Sequence, residues 1–418
     1  MEVTLGYKQT AIGVIPEDWE VSKLQDACGE PITYGIVQCG PHVPNGVPYV
    51  RVSDMDSLEL DVEGMLRTSP AIAARFSRSS VEEGDLIYAL RGKLGEVRLV
   101  RSSVAGANLT QGTARLSPRD GVLSSYLLWA MRDPCVLRRA EVEAKGTTFR
   151  EITLADLRRI PILIPPVDEQ HTIATALGDV VALLAKLDRL IAKKRDLKQA
   201  AMQQLLTGQT RLPGFQGEWK VKQLGEVGEI SGSGVDKQSR PDEVPVRLVN
   251  YMDVYRRSFI YSADLHHAVT APPHQARRCA VLKGDVFFTP SSETRDDIAN
   301  SAVAMEDIGD AAYSYHVVRL RLSEPWDLRF RAYAFKTHAF LRQAETLCDG
   351  GGTRYVISLG KFRSLVVKVP PLPEQAAIAD VLWAMDAELT ALEARRGKTR
   401  ALKQGMMQEL LTGRTRLV

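Results

Sequence analysis

One stretch of this sequence, Lys198-Gln-Ala-Ala-Met-Gln-Gln-Leu-Leu-Thr-Gly-Gln-Thr-Arg-Leu212, occurs twice. Its second copy is Lys403-Gln-Gly-Met-Met-Gln-Glu-Leu-Leu-Thr-Gly-Arg-Thr-Arg-Leu417, with 11 of 15 positions identical at an offset of 205. Further matches keep nearly the same register over about 200 residues, which chance does not produce. The chain is therefore a tandem duplication, and we expect its fold to consist of two related halves.

Upstream of this motif the two halves share shorter matching residues, which we call marks. At the offset of 205, Pro165-Pro166 corresponds to Pro370-Pro371 and Glu169-Gln170 to Glu374-Gln375. At an offset of 200, Trp19 corresponds to Trp219 and Gly84-Asp85 to Gly284-Asp285. Between these marks, residues 57–83 and 86–145 share little with 254–283 and 286–350. A duplicated enzyme would keep its chemical residues in both copies, whereas a recognition protein keeps the frame and changes the reading surface.

The segment after each Pro-Pro pair is predicted to be a long helix with an apolar seam, because apolar residues recur at steps of four and three. The seam residues are Ile173, Leu177, Val180, Leu184 and Leu187 in the first half and Ile378, Leu382, Met385, Leu389 and Leu392 in the second. We expect helices 168–207 and 373–412 to pair as an antiparallel coiled coil. The alternative is two amphipathic helices, each packed only on its own domain.

Both helices are expected to end at Thr-Gly, since glycine readily adopts the left-handed conformation that stops a helix. A polar break, Lys193-Lys-Arg195 in the first half, interrupts the seam. After this break the apolar pattern is predicted to resume at Leu197, Met202, Leu205 and Leu206, and in the second half at Leu402, Met407, Leu410 and Leu411.

The rest of each half is predicted to be mixed α/β. Short apolar or alternating runs are typical of strands, and residues 123–144 and 327–347 are helix-like. The predicted strands are 47–52, 85–90, 97–100 and 160–164 in the first half and 246–249, 285–289, 317–322 and 365–369 in the second. We therefore expect two tandem α/β (α+β) domains, separated by two long helices, with an internal pseudo-two-fold repeat.

Composition limits the class of protein. The chain has 418 residues, 44% of them hydrophobic, and a net charge of +3. Its longest apolar run, Val180–Ala185, is far shorter than the roughly 20 residues of a membrane span. The first residues lack the basic and apolar regions of a secretory signal. We expect a cytoplasmic protein with no membrane partner.

Neither a disulfide framework nor a metal site is expected. The five cysteines (Cys28, Cys39, Cys135, Cys279 and Cys348) are widely spaced and form no Cys-x-x-Cys pair. A possible ligand set, His266, His267, His274 and Cys279, lacks the spacing of a ligand pair and has no counterpart in the first half.

Catalytic motifs are incomplete. Glu143-Ala-Lys145 and Glu218-Trp-Lys220 match half of a nuclease signature, but no Pro-Asp precedes either at suitable spacing. The chain contains no Walker loop, no Gly-x-Ser-x-Gly and no His-Glu-x-x-His. We therefore expect no self-contained active site.

These marks resemble the specificity (S) subunit of type I restriction–modification systems. The resemblance rests on Pro16-x-x-Trp19, Gly84-Asp85 with Arg91-Gly92-x-x-Gly95, Pro165-Pro-x-x-Glu169-Gln170 and the Leu-Leu-Thr-Gly endings, and it covers essentially the whole chain. It implies a non-catalytic DNA-specificity subunit whose two target-recognition domains each read one half of a bipartite target. The corresponding segments are domain 1 (1–167), a central conserved helical region (168–212), domain 2 (213–372) and a C-terminal conserved helical region (373–418).

The resemblance also implies partners and cofactors. Double-stranded DNA is the expected ligand, two adenine-methyltransferase (M) subunits would dock on the helices that set the spacer, and restriction/translocase (R) subunits would join further out. No cofactor is expected on this chain, because S-adenosylmethionine would bind to M, and ATP and Mg to R. The second half departs from the family pattern, since Thr289–Arg295 replaces the Arg91-Gly92-x-x-Gly95 turn.

We expect the DNA contacts to come from polar residues on loops that follow strands. In the first half these are Arg91, Lys93, Thr110, Gln111, Thr148 and Arg150; in the second they are Ser291, Ser292, Arg295, Tyr315, His316, Arg354 and Tyr355. Arginine pairs with guanine and glutamine with adenine by two hydrogen bonds. The alternative for each residue is an ordinary solvated or phosphate-facing side chain.

Charge divides unevenly between the domains. Residues 1–167 carry 19 bases and 21 acids, a net charge of −2, and residues 213–372 carry 21 bases and 19 acids, a net charge of +2. Because phosphate neutralisation supplies much of the affinity for DNA, an acidic first domain should bind weakly alone and depend on basic surface from the M subunits. Two other functions stay open: a single-chain restriction enzyme or methyltransferase, which needs the missing motifs, and a duplicated structural or adaptor protein that dimerises through its long helices.

Overall fold

The computed structural model describes residues 5–57, 59–146 and 150–417. The chain divides into two compact units: the first unit consists of Met1–Asp188 and Arg395–Val418, and the second unit of Arg189–Ala394. Each unit thus combines the globular part of one half with the end of the other half's long helix. The four-segment division made from the sequence follows the repeat rather than the packing, and it stays a prediction.

The two long helices form where the sequence places them. They span Val167–Thr207 and Leu372–Leu410. Glycines follow both helices in the left-handed conformation, with φ of 73° at Gly208 and 70° at Gly413. A methyl group on Gly413 would lie 2.5 Å from Pro16 Cδ, so this stop also requires the smallest residue. Among the helices of the described chain, none has the length and apolar content to cross a membrane.

All ten predicted seam residues are buried or half-buried. In the second unit, Lys194 pairs with Glu388 at 2.7 Å and Lys198 pairs with Asp386. Sequence numbers rise along one helix while they fall along the other, so the two helix segments of this unit run in opposite directions.

The expectation for Leu197 and Leu402 is wrong, since these side chains are 47% and 57% exposed. The heptad phase explains their exposure. Continuing the steps of three and four from the buried Ile191 gives Lys194 and Lys198, not Leu197, and both lysines form ion pairs with the other helix.

The globular part of the first unit is built on small, mostly antiparallel sheets. Its helices are Leu24–Ala27, Val52–Met55 and Ser77–Ser79 (3-10) and Pro70–Arg75, Ser124–Ala130, Pro134–Glu143 and Leu154–Arg159 (α). A four-stranded sheet has the order Thr33–Tyr34, Thr113–Leu116, Leu86–Ala89, Val97–Leu99, and a three-stranded sheet has the order Arg67–Thr68, Val47–Val50, Asn108–Leu109. Two-stranded pairs join Tyr7–Thr10 to Gly13–Pro16 and Glu20–Lys23 to Pro161–Ile164.

The second unit repeats this arrangement with longer sheets. Its helices are Ser262–Asp264 and Arg295–Asp297 (3-10) and Leu224–Val227, Tyr251–Arg256, Pro273–Arg278, Arg331–Ala334, His338–Leu347 and Leu359–Ser364 (α). A five-stranded sheet has the order Gly228–Ser231, Val318–Leu322, Val286–Phe288, Ser301–Ala304, Phe259–Ile260. A four-stranded sheet has the order Ala268–Ala271, Val244–Val249, Ile308–Tyr313, Ala280–Val281. Lys220–Gln223 pairs with Val366–Val369, and a small sheet has the order Ser291–Ser292, Arg354–Val356, Asp349–Gly351. The eight predicted strands and the mixed α/β class are confirmed.

The Trp and Glu marks of the sequence meet in one buried junction in each unit. In the first unit, Trp19 Nε1 donates to Glu169 Oε2 at 2.9 Å, and Arg416 donates to the same carboxylate. In the second unit, Trp219 Nε1 donates to Glu374 Oε2 at 3.0 Å. These marks are therefore structural: they anchor the start of each long helix on its globular part.

The Gly-Asp mark is structural as well. Asp85 accepts a hydrogen bond from Arg115 Nε at 2.6 Å and one from the Glu82 amide at 2.7 Å. Asp285 accepts from Arg321 Nη2 at 2.7 Å. Because a buried carboxylate must be paired, this position keeps its aspartate in both halves.

Candidate nucleic-acid interface

In the first unit, three strand ends meet around the predicted contact residue Gln111. The strand Asn108–Leu109 runs parallel to Val47–Val50. The Gln111 amide donates to Ile36 O at 3.1 Å, which fixes the backbone of the turn. The Gln111 side chain is half-buried and makes no hydrogen bond to another described residue. The side-chain amide of Gln111 is therefore available to a ligand.

Arg91 lies beside this turn. The Leu90 amide donates to Gly112 O at 2.9 Å, and a methyl group on Gly112 would lie 3.2 Å from Arg91 Nε. The fold thus brings Arg91 next to Gln111, although they are 20 positions apart. Arg91 forms no ion pair within the described chain, so its charge is available to a phosphate or a base edge.

The other predicted contact residues of the first half are Lys93, Thr110, Thr148 and Arg150, and the structure does not group them with Arg91 and Gln111. Lys93 is exposed but pairs with Asp56. Thr110 Oγ1 donates to Val50 O at 3.2 Å, so this hydroxyl helps to hold the strand ends together. Arg150 is exposed. Thr148 lies outside the described residues.

Five of the seven predicted residues of the second half come together at the small sheet. Ser291, Ser292, Arg354 and Tyr355 lie on its strands, so the expectation of loop positions is wrong for these four. The reason is that Asp349–Gly351 supplies a third strand, which turns this diverged segment into a sheet of its own. Arg295 places its guanidinium 5.2 Å from the centre of the Tyr355 ring, a cation–π distance.

The remaining two predicted residues, Tyr315 and His316, form an aromatic pair. Their ring centres are 3.8 Å apart, and Tyr315 is 48% exposed. Burial, together with the positive charges of Lys237 and Arg354, lowers the pKa of His316. A neutral His316 can donate one hydrogen bond and accept another.

Gln111 and Tyr315 occupy equivalent positions in the two units. The Tyr315 amide donates to Val235 O at 3.0 Å, as the Gln111 amide does to Ile36 O. In each unit this residue follows a strand that runs parallel to its neighbour. The diverged segments therefore keep a common frame, and the frame presents different side chains at the same place.

Arg91 and Ser291 form a second equivalent pair. The Ile152 amide donates to Leu90 O at 3.0 Å, and the Ile357 amide donates to Pro290 O at 2.9 Å. The residue after this carbonyl is Arg91 in the first unit and Ser291 in the second. The turn that departs from the family pattern in the second half thus has the same anchor as its counterpart.

Sequence reasoning missed two tyrosines beside the small sheet. Tyr251 and Tyr255 stack with ring centres 5.9 Å apart, and Tyr251 OH donates to Ser291 O at 3.0 Å. Together with Arg354, they line an open cleft of about 620 Å³. The signal that could have found them is their i, i+4 spacing directly after the predicted strand 246–249.

The seam residues predicted as the coiled-coil and partner interface pack inside the units. In the first unit Ile173 and Leu177 belong to one apolar cluster with Met407, and in the second Ile378 and Leu382 belong to one with other core residues. Their contact with a partner stays a prediction. The large apolar side chains that the long helices leave exposed are Val167, Leu190, Leu197, Leu372, Val381 and Leu402.

The comparisons with known proteins agree on one family. The family model described as type I restriction modification DNA specificity domain matches residues 16–193 and 216–402. The chain is 25% identical over 203 residues to the type I restriction enzyme EcoBI specificity subunit of Escherichia coli, covering 47% of this chain and 43% of that protein. It is 22% identical over 429 residues to a putative type I restriction enzyme MjaX specificity subunit of Methanocaldococcus jannaschii, covering 98% and 97%.

A solved structure shows the same fold. The crystal structure of the HsdS subunit from Thermoanaerobacter tengcongensis aligns over 96% of this chain and 98% of its own, with a TM-score of 0.55 at 17% identity. The two matches to one family model, one in each half, agree with the two units and their shared frame. The chain belongs to the type I restriction–modification DNA specificity subunits, the non-catalytic component that gives such a system its DNA specificity.

Proposed function

We propose that each unit of this chain reads one half of a bipartite double-stranded DNA target. The observation that supports this proposal best is the equivalence of Gln111 and Tyr315, which follow the same strand of the same frame but differ in chemistry. A glutamine amide can pair with adenine by two hydrogen bonds, whereas a tyrosine offers one hydroxyl and an apolar ring. Two half-sites of different sequence are the expected result.

The two DNA surfaces use different means. In the first unit, Arg91 and Gln111 combine one free cation with one free amide. In the second unit, the predicted residues Ser291, Ser292 and Arg354 line the cleft. Arg295 is held against the Tyr355 ring at 5.2 Å. We assign base contact to Gln111 and Tyr315 and phosphate contact to Arg91, because an arginine beside Gly92 lies where the backbone can approach DNA closely.

The long helices form an antiparallel coiled coil with a pseudo-two-fold repeat, and their length sets the unread spacer between the half-sites. The opposed ion pairs of the second unit and the pair of Asp188 with Arg396 in the first, at 3.2 Å, support this arrangement. Two methyltransferase subunits dock on the helical regions. The exposure of Leu197 and Leu402, equivalent positions in the repeat, supports a partner that binds twice.

The remaining partners follow from this role. Restriction/translocase subunits join the complex of specificity and methyltransferase subunits in the cytoplasm. The chain itself holds no cofactor: S-adenosylmethionine binds to the methyltransferase, and ATP and Mg bind to the restriction subunit. Within the described residues, no three His, Cys, Asp or Glu side chains form a group that could hold a metal ion.

The test is methylome sequencing of a host that expresses the methyltransferase with and without this chain. We expect methylated adenines in a split sequence motif only when the chain is present. Purified chain alone should bind DNA weakly and should not transfer methyl groups. A duplicated adaptor without DNA readout would instead leave the methylated sites unchanged.

A further inference from the structure

Each unit holds an aromatic side chain against a lysine from the end of the other half's long helix. In the second unit, Lys198 Nζ lies 5.8 Å from the centre of the Tyr333 ring. In the first unit, Lys403 Nζ lies 5.4 Å from the centre of the Trp129 ring. The lysines correspond at an offset of 205 and the aromatic residues at 204, so the two sites occupy the same position in the repeat.

The second unit neutralises its site with an acid of its own. Asp386, on the second long helix, forms an ion pair with Lys198. The same carboxylate accepts a hydrogen bond from Tyr333 OH at 2.7 Å. Cation, aromatic ring and acid thus form a closed cluster within one unit.

The first unit lacks this acid. The residue that corresponds to Asp386 at the offset of 205 is Val181, which packs on the apolar cluster of the unit. A second cation lies against the same ring, because the Arg132 guanidinium is 5.5 Å from the centre of the Trp129 ring. Across the ranges that the structure describes, neither Arg132 nor Lys403 forms an ion pair.

The surroundings add to the positive charge. Arg132 Nη2 donates to the backbone carbonyl of Val97 at 2.8 Å, which holds the guanidinium in place without neutralising it. Burial and the nearby charges of Arg132 and Arg400 lower the pKa of Lys403. Arg132 also lies near Glu96, but that carboxylate already pairs with Arg98 at 2.7 Å. Partly buried cations that form no ion pair cost free energy, and an external anion that pairs with them recovers it.

The neighbouring surface indicates what kind of anion fits. Leu402, adjacent to Lys403 in sequence, is 57% exposed. A phosphate backbone gains nothing from an exposed leucine, whereas a protein segment with an acidic and an apolar side chain can cover both groups. The surface therefore favours a carboxylate from a protein partner.

We propose that the site formed by Trp129, Arg132 and Lys403 in the first unit receives a carboxylate side chain of a methyltransferase subunit, in the place that Asp386 fills in the second unit. This inference rests on the proposed function, which supplies the partner. It follows that two copies of one partner are held unequally. The copy on the first unit makes an additional ion pair and is the more sensitive to salt.

The test titrates the methyltransferase subunit of the same system onto the full-length chain, with native mass spectrometry and calorimetry at low and high salt. Lys403→Met removes the charge but keeps the alkyl stem over Trp129. Val181→Asp supplies the acid from within the chain. We expect each variant to weaken one of the two binding steps about tenfold and to flatten its salt dependence. Lys198→Met is the matched control: its site is closed by Asp386, so both binding steps should keep their affinities.

The outcomes separate the two proposals. If the unaltered chain binds no methyltransferase, the proposed function fails. If it binds two copies and both variants keep the original affinities and salt dependence, this inference alone is overturned. Unchanged assembly with weaker DNA binding by the assembled complex would also overturn it, because the anion would then be a DNA phosphate.

Discussion

Arg416 donates to both carboxylate oxygens of Glu169, with distances of 3.1 Å from Nε to Oε1 and 2.6 Å from Nη2 to Oε2. The arginine follows the second long helix, and the glutamate stands at the start of the first. Arg211 and Glu374 make the same bidentate contact in the second unit. Two sequence motifs that are far apart in each repeat are therefore the two sides of one ion pair, and the pair closes each unit.

This contact predicts the effect of removing its cation. The Glu169 side chain is 1% exposed. In Arg416→Gln its carboxylate keeps the hydrogen bond from Trp19 Nε1 but loses the positive charge that pairs with it. An unpaired buried charge costs about 3–5 kcal/mol, and since Arg416 is 25% exposed we expect about 2–3 kcal/mol of lost stability. Urea unfolding of the full chain measures this loss.

Arg414→Gln is the matched control for that experiment. Arg414 is exposed two positions earlier and forms no ion pair within the described ranges. Its replacement should change the free energy of unfolding by less than about 0.5 kcal/mol. Equal losses in the two variants would contradict a specific role for the pair of Arg416 and Glu169.

The repeat made much of this fold predictable. The heptad spacing and the Thr-Gly ends located both helices to within two residues, because helix periodicity is a local property of the sequence. The ion pair of Arg416 with Glu169 was not predictable: it joins residues 247 positions apart, and matching motifs do not reveal whether each arginine meets the acid of its own half or of the other. The sequence also did not predict that Ser291 and Arg354 lie on strands, because a serine, an arginine and three glycines carry no strand signal of their own.

The second prediction concerns pH. In the folded second unit, Lys336 donates to Ser258 Oγ at 2.5 Å, and burial lowers its pKa to about 8 from an ordinary 10.5. Between these two values the unfolded chain holds a proton that the folded unit has lost. Stability therefore rises as pH increases through this window, by at most about 3 kcal/mol from this group. Below the folded pKa both states are protonated, so the cost of burying the charge is full and constant.

The measurement compares urea unfolding of the unaltered chain and Lys336→Met across this pH range. The difference in their free energies of unfolding isolates Lys336 from the other lysines and tyrosines that titrate there. We expect the free energy of unfolding of the unaltered chain to increase relative to that of the variant as pH rises. A difference that stays flat would mean that Lys336 keeps its ordinary pKa in the folded protein.

The third prediction tests the helices as a spacer. Seven residues inserted into each long helix, after Lys193 and after the equivalent Lys398, preserve the heptad seam. Each helix becomes about 10 Å longer at 1.5 Å per residue, close to three base pairs at 3.4 Å. Methylome sequencing should show an unread gap about three base pairs longer between unchanged half-sites.

A loop insertion provides the control for the spacer. Gly214 is exposed and lies beyond Arg211, whose bond to Glu374 already fixes the end of the first helix in its unit. Seven residues inserted after Gly214 should therefore leave the gap unchanged. Identical methylation sites for the helix insertion and the unaltered chain would refute the spacer role.

The last prediction assigns one half-site to each unit. Gln111→Ala removes an amide that can pair with a base, so it should relax one base position in one half-site at a cost of about 1–3 kcal/mol. Tyr315→Ala, at the equivalent position, should relax the other half-site. Arg91→Ala should weaken binding evenly across sequences and make the salt dependence shallower, because its guanidinium is assigned to a phosphate.

These three variants are measured as assembled complexes on duplexes that carry single base substitutions in each half-site, over a range of salt. Lys93→Met is the control, since Lys93 lies two positions from Arg91 but is already neutralised by Asp56. The salt dependence of DNA binding by this variant should stay close to that of the unaltered chain.

The assignment of one half-site to each unit requires that the two units act separately. Matching backbone hydrogen bonds hold Gln111 and Tyr315 in different units, so we expect a change at one residue to leave the base read by the other unaffected. If Gln111→Ala relaxed both half-sites, the common frame would not divide the target between the units. If Arg91→Ala altered one base position and left the salt dependence intact, Arg91 would be a base reader and the phosphate assignment would be wrong.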